Sequence, residues 1–97
     1  MSGPPIPGQH GRQEYRLHWR GIALTLHLTP GWLDLADQLE IRSEGRTPLP
    51  LTETGYRSHF APMGEIAAYG GARRYVADWL DDEAVRKGWT GAQLNLF

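Results

Sequence analysis

From Tyr15 onward the chain alternates between apolar and polar positions. Tyr15, Leu17 and Trp19 are interleaved with Arg16, His18 and Arg20; Ile22, Leu24, Leu26 and Leu28 are interleaved with Ala23, Thr25 and His27. A period of two is that of a strand with one buried face. If Arg20-Gly21 is a two-residue turn, Trp19 faces Ile22, Leu17 faces Leu24 and Tyr15 faces Leu26. The other face then pairs His18 with Ala23, Arg16 with Thr25 and Glu14 with His27. Pattern and register agree on a hairpin.

Downstream the pattern is punctuated. Pro30-Gly31 is expected to break the second strand. Leu33, Leu35, Leu39 and Ile41 keep to odd positions, which is read as a loop or single helical turn over 32–37 and a third strand over 38–43. Glu44-Gly45 supplies the next turn. Pro48 and Pro50 restrict the following segment to an edge strand or an extended connection. Tyr56, Ser58 and Phe60 then alternate with Arg57 and His59, giving a short strand with Tyr56 and Phe60 expected in the core. The stretch "EIAAY" (65–69) reads as one more edge strand.

After Gly70-Gly71 the period changes to that of a helix. Ala72, Tyr75, Val76, Trp79, Leu80 and Ala84 share one face over 72–87, and Gly88 stops it. The fold class is therefore α+β: a small antiparallel sheet of four or five strands covered on one face by a single C-terminal helix. Residues 1–13, rich in Pro and Gly, are expected to be a disordered arm. Residues 14–87 make the single domain, and 88–97 a flexible tail.

Composition narrows the function classes. Forty per cent apolar residues, with four Trp, four Tyr and two Phe, suffice for one small core. The absence of cysteine excludes disulfides and thiolate metal sites. A formal net charge of −1 gives no global field toward nucleic acid or membrane. No apolar run is long enough to span a bilayer, and the opening "MSGPPIPGQHG" lacks a signal-peptide core, so a cytoplasmic bacterial protein is expected.

Candidate chemistry is sparse. His18 and His27 share a face, but the register makes Glu14 the neighbour of His27, and no HxH or HxxxH spacing occurs; neither a metal nor a cofactor is expected. Ser58 and His59 point to opposite faces and cannot be a nucleophile and its base. Glu53 and His59 are conceivable as an acid/base pair across Gly55, although Thr-Glu-Thr-Gly is also ordinary turn chemistry. Arg57 and His59 share a face suited to an anion. Arg73 and Arg74 lie in the first turn of the helix, where the macrodipole disfavours cations and free N–H groups favour phosphate. No catalytic motif stands out, and a non-enzymatic protein is expected.

The chain ends on "QLNLF". Gln93, Leu94, Leu96 and Phe97 match, position for position, a short peptide of usual form Gln-Leu-Ser/Asp-Leu-Phe; Asn95 stands where Ser or Asp is commonest. The segment resembles the bacterial sliding-clamp-binding motif, over five residues only. The resemblance implies a replication, repair or mobile-element factor, here a small adaptor or modulator of plasmid or phage origin that meets DNA indirectly or weakly. Leu96 and Phe97 would fill an apolar pocket, Leu94 cover its lip, and Gln93 bond in a second site. Two alternatives stay open. Leu94, Leu96 and Phe97 also fit a last strand packed on the chain's own sheet. The domain would then be a binding module for an anion or nucleic acid through Arg57, His59, Arg73 and Arg74. A strand edge left open by the two prolines would also allow a homodimer.

Overall fold

The computed structural model describes residues 11–89. Strands β1 (Gln13–Trp19), β2 (Ile22–Trp32), β3 (Ala36–Ser43) and β4 (Tyr56–Ala61) form one antiparallel meander in chain order. Helices α1 (Glu65–Tyr69) and α2 (Ala72–Lys87) follow. The class is α+β, with the N-terminal hairpin and C-terminal helix that the patterning predicts.

The hairpin has the expected register. Trp19 pairs with Ile22, Leu17 with Leu24, Tyr15 with Leu26 and Glu14 with His27. Arg20 and Gly21 both have positive φ (51° and 82°), the primed turn whose twist matches that of the strands. On the sheet's inner face, Leu24, Leu26, Leu28, Leu39 and Ile41 are buried with Ala72, Val76, Leu80 and Ala84 of α2. Those four helical residues recur every fourth position, so one narrow stripe enters the core. Tyr75 and Trp79 pack at its margin, half-buried.

Four expectations are corrected. Pro30-Gly31 does not end β2; the register shifts between Thr29 and Trp32, and the strand resumes to pair Trp32 with Ala36. The bulge is held because Asp37, 6% exposed, accepts the Gly31 N–H at 2.8 Å. β3 accordingly begins at Ala36, after a tight turn through Leu33 and Asp34. Second, "EIAAY" is helical. Its end is closed by Gly70-Gly71, whose N–H groups donate to the Ala67 and Ile66 carbonyls.

Third, β4 presents the opposite face to that expected. Arg57 pairs with Ile41 and His59 with Leu39, which puts both on the helix side. Phe60 lies on the open face, 48% exposed, with its ring 4.9 Å from that of Trp32. Tyr56, on the same face, donates its hydroxyl to Glu40. Burial and that carboxylate push the Tyr56 phenol up.

Fourth, Trp89 is not part of a free tail. Gly88 adopts φ 63°, its N–H reaches the Val85 carbonyl, and the Trp89 N–H reaches that of Ala84 at 2.8 Å. This double bond pattern turns the chain back on the helix. The Trp89 ring lies 5.2 Å from that of Trp19, whose indole N–H donates to Asp81.

The proline segment takes the second of its two expected forms, an extended connection. Leu49 and Leu51 are buried, a single bridge joins Leu49 to Thr52, and the Lys87 ammonium donates to the Pro50 carbonyl at 2.7 Å. The sheet's edges are β1 and β4. At Gly55 the chain passes so close that a Cβ would lie 2.6 Å from the carbonyl carbon of Arg46. Among the described residues no helix is long and apolar enough to cross a membrane.

Candidate functional site

The densest grouping of polar and aromatic side chains lies where β4, α1 and α2 meet. β4 contributes Arg57 and His59, α1 Glu65 and Tyr69, and α2 Tyr75, Asp78, Trp79 and Asp82. The α2 residues follow three- and four-residue spacings and so share one flank of the helix. Gly70-Gly71 reverses the chain and brings α1 against that flank.

The cluster is cross-linked by hydrogen bonds. Tyr75 donates its hydroxyl to Glu65 at 2.9 Å, and the His59 Nε2 lies 3.1 Å from the same oxygen. With the tyrosyl proton committed to Glu65, the imidazole is the donor and carries its proton on Nε2. Burial, and then the Glu65 bond, push the Tyr75 phenol up to about 12. Burial, reinforced by the Arg57 charge, pushes the His59 imidazole down. Tyr69 donates to Asp78 at 2.7 Å, and that bond raises its phenol too. Both phenols are therefore neutral donors near neutral pH and poor nucleophiles.

Packing completes the geometry. The His59 ring lies 4.6 Å from that of Trp79, and the Arg57 guanidinium 5.1 Å from it. Arg57 also donates to the Leu51 carbonyl at 3.0 Å. Tyr69 and Tyr75 meet edge to face at 5.5 Å and 85°, Tyr75 and Trp79 at 6.2 Å and 75°. Tyr69, Tyr75, Trp79 and Asp82 line an open recess of about 210 Å³.

Of the four candidate anion ligands, only Arg57 and His59 come together. Arg73 lies at the opposite edge of the sheet, donating to the Arg16 carbonyl at 2.9 Å with its guanidinium 5.3 Å from the Tyr15 ring. Arg74 points to Asp78, 4.0 Å away. Glu53 is an exposed turn residue, and His59 bonds to Tyr75. His27 bonds to Glu14 at 3.3 Å, which lowers that carboxyl. Gln93, Leu94, Asn95, Leu96 and Phe97 lie outside the described residues.

Sequence reasoning missed Glu65, Tyr69, Asp78 and Asp82 as site residues and treated Tyr75 and Trp79 as core. The signal was present in part. Tyr75, Trp79 and Asp82 form a continuous line at i, i+4 and i+7, with aspartate where a core stripe would carry an apolar side chain.

The family model of the KlcB third domain matches residues 12–89. The chain belongs to the KlcB third-domain family. No curated protein matches it, nor does any solved structure. The KlcB-type domain thus runs from Arg12, whose guanidinium pairs with Glu40 at 3.0 Å, to Trp89, packed at a tilt against Trp19. The recess, its hydrogen bonds and all four arginine and histidine candidates fall inside it.

Proposed function

We propose that this chain is a small non-enzymatic adaptor in which a KlcB-type domain is joined to a sliding-clamp-binding peptide, residues 93–97. The observation that carries the reading is the division at Trp89. The family match ends there, the C-terminal cap of α2 closes there, and "QLNLF" follows within eight residues. Leu96 and Phe97 supply the apolar anchors. Each contributes roughly 1.5–3 kcal/mol on full burial, and the cost of ordering leaves a net affinity on the order of micromolar. Such an affinity suits an exchangeable partner of a clamp on DNA, as a plasmid- or phage-encoded modulator would be.

The anion or nucleic-acid reading finds less support. Arg57 is committed to Leu51 and Trp79, and Arg73 faces the far edge of the sheet.

Titration against a purified bacterial clamp tests the proposal. The full chain and a peptide of residues 88–97 should bind in the micromolar range. A chain lacking 92–97, and the double substitution Leu96→Ala with Phe97→Ala, should lose at least about tenfold. Equal binding by all forms, or none by any, refutes the adaptor reading. Salt-dependent DNA binding by the domain without its tail would move the assignment to the second reading.

A further inference from the structure

We propose that the recess between α1 and α2 is an aromatic cage for a basic side chain, the ammonium or guanidinium of a Lys or Arg presented by a partner polypeptide. The recess is built only from residues of the folded domain and does not depend on the tail.

The first ground is the disposition of the rings. Tyr69, Tyr75 and Trp79 stand nearly perpendicular in succession, at 85° and 75°. These rings pack edge to face, and together with Asp82 they line an open recess of about 210 Å³. The π faces of aromatic rings carry negative potential, and cages of this kind accept organic cations. Both phenol protons already point to carboxylates, Tyr69 to Asp78 and Tyr75 to Glu65. Donation to an anion enriches the ring in electron density and strengthens its attraction for a cation.

The second ground is charge. Asp82 lines the recess, with Glu65 and Asp78 at its borders. Three guanidiniums stand near these three carboxylates; Arg86 lines the adjoining recess with Asp82 and Trp79 but is bonded to Glu83 at 2.8 Å. Arg74 stands 4.0 Å from Asp78, while Arg57 is not among the lining residues and is engaged by the Leu51 carbonyl. Asp82 has no ion-pair partner among the described residues. An apolar ligand would cover its carboxylate without a partner, and an anion would meet it as a like charge. A basic side chain satisfies the carboxylate and the rings together.

The third ground is the behaviour of Trp79 within the fold. Its ring already attracts the Arg57 guanidinium to 5.1 Å. The recess is shallow and open to solvent, so a side chain arriving on a flexible stem from another surface can reach it. This fits a partner polypeptide better than an enclosed small amine.

The test is an NMR titration of the full chain with the blocked tripeptides Ac-Gly-Lys-Gly-NH2, Ac-Gly-Arg-Gly-NH2 and the neutral isostere Ac-Gly-norleucine-Gly-NH2. The Trp79 indole proton and the ring protons of Tyr69 and Tyr75 are followed. Lys or Arg peptides should move these resonances saturably at millimolar concentration, and the norleucine peptide should not. Asp82→Asn and Tyr69→Leu, both at exposed positions that the core does not use, should each weaken binding roughly two- to fivefold. Equal response to norleucine, no response to either cation, or unchanged affinity in both variants overturns the proposal.

Discussion

His59 is a half-buried imidazole on β4, an edge strand of the sheet. Flanked by Ser58 and Phe60, it reads as solvent-facing, yet its strand pairs it with Leu39 and turns it under the helix. An edge strand is only partly roofed, so a flat polar ring can lie against Trp79 there and still find a partner in Tyr75. The consequence is a pH dependence of stability. Folded His59 titrates below its ordinary 6.5, through burial first and Arg57 second, with Glu65 opposing. Between the two values the unfolded chain binds the extra proton, so stability rises with pH across that interval. The contribution is full above 6.5 and is lost as pH falls through the folded value. Thermal melts from about pH 8 down to about pH 5 should show the midpoint dropping below 6.5, and His59→Gln should remove that part of the drop. Glu14, lowered from 4.5 by His27, titrates further down and lies outside this window. Identical profiles for the two proteins would mean that His59 is as solvated when folded as when unfolded.

At the scale of elements, what was legible was local. The β1–β2 hairpin follows from strict alternation around Arg20-Gly21, and α2 from a period of four ended by Gly88. Neither needs information from elsewhere in the chain. The elements misread are those fixed by distant partners. Asp37 accepts the Gly31 N–H with one carboxylate oxygen and the Gly64 N–H with the other, at 2.8 and 2.9 Å. It thereby holds the bulge that carries β2 past Pro30 and the turn that launches α1. A buried aspartate on the apolar phase of β3 was the available clue, and alternation has no means of saying which N–H groups it serves. The recess was illegible for the same reason, since Tyr69 meets Tyr75 only after the Gly70-Gly71 reversal. Asp37→Ala strands both donors and should cost about 2–4 kcal/mol in chemical denaturation, whereas Asp37→Asn, which retains an acceptor, should cost less. Equal, small losses from both would show that water serves these amides as well as the carboxylate does.

For the whole molecule the question is where the domain ends. Periodicity places the boundary at Lys87, because a helix-stop glycine looks like the start of a tail. The fold carries it to Trp89: the Gly88 and Trp89 N–H groups satisfy the last helical carbonyls, and the indole covers Trp19 at the turn end of the hairpin. Trp89 thus links the last turn of α2 to the first strand pair, and the family match includes it. Two truncations separate the possibilities. Removing 90–97 should leave the unfolding free energy unchanged. Removing 88–97 should cost roughly 2–4 kcal/mol, from the lost cap, the lost ring pair and the exposure of Trp19. Trp fluorescence during denaturation reads both, because Trp19 loses its cover only in the shorter chain. If the two truncations destabilise equally, and by that full amount, the last eight residues belong to the core, and Leu94, Leu96 and Phe97 cannot be held for a clamp. If only the shorter chain suffers, the fold has no claim on those side chains, and their apolar character needs an external partner.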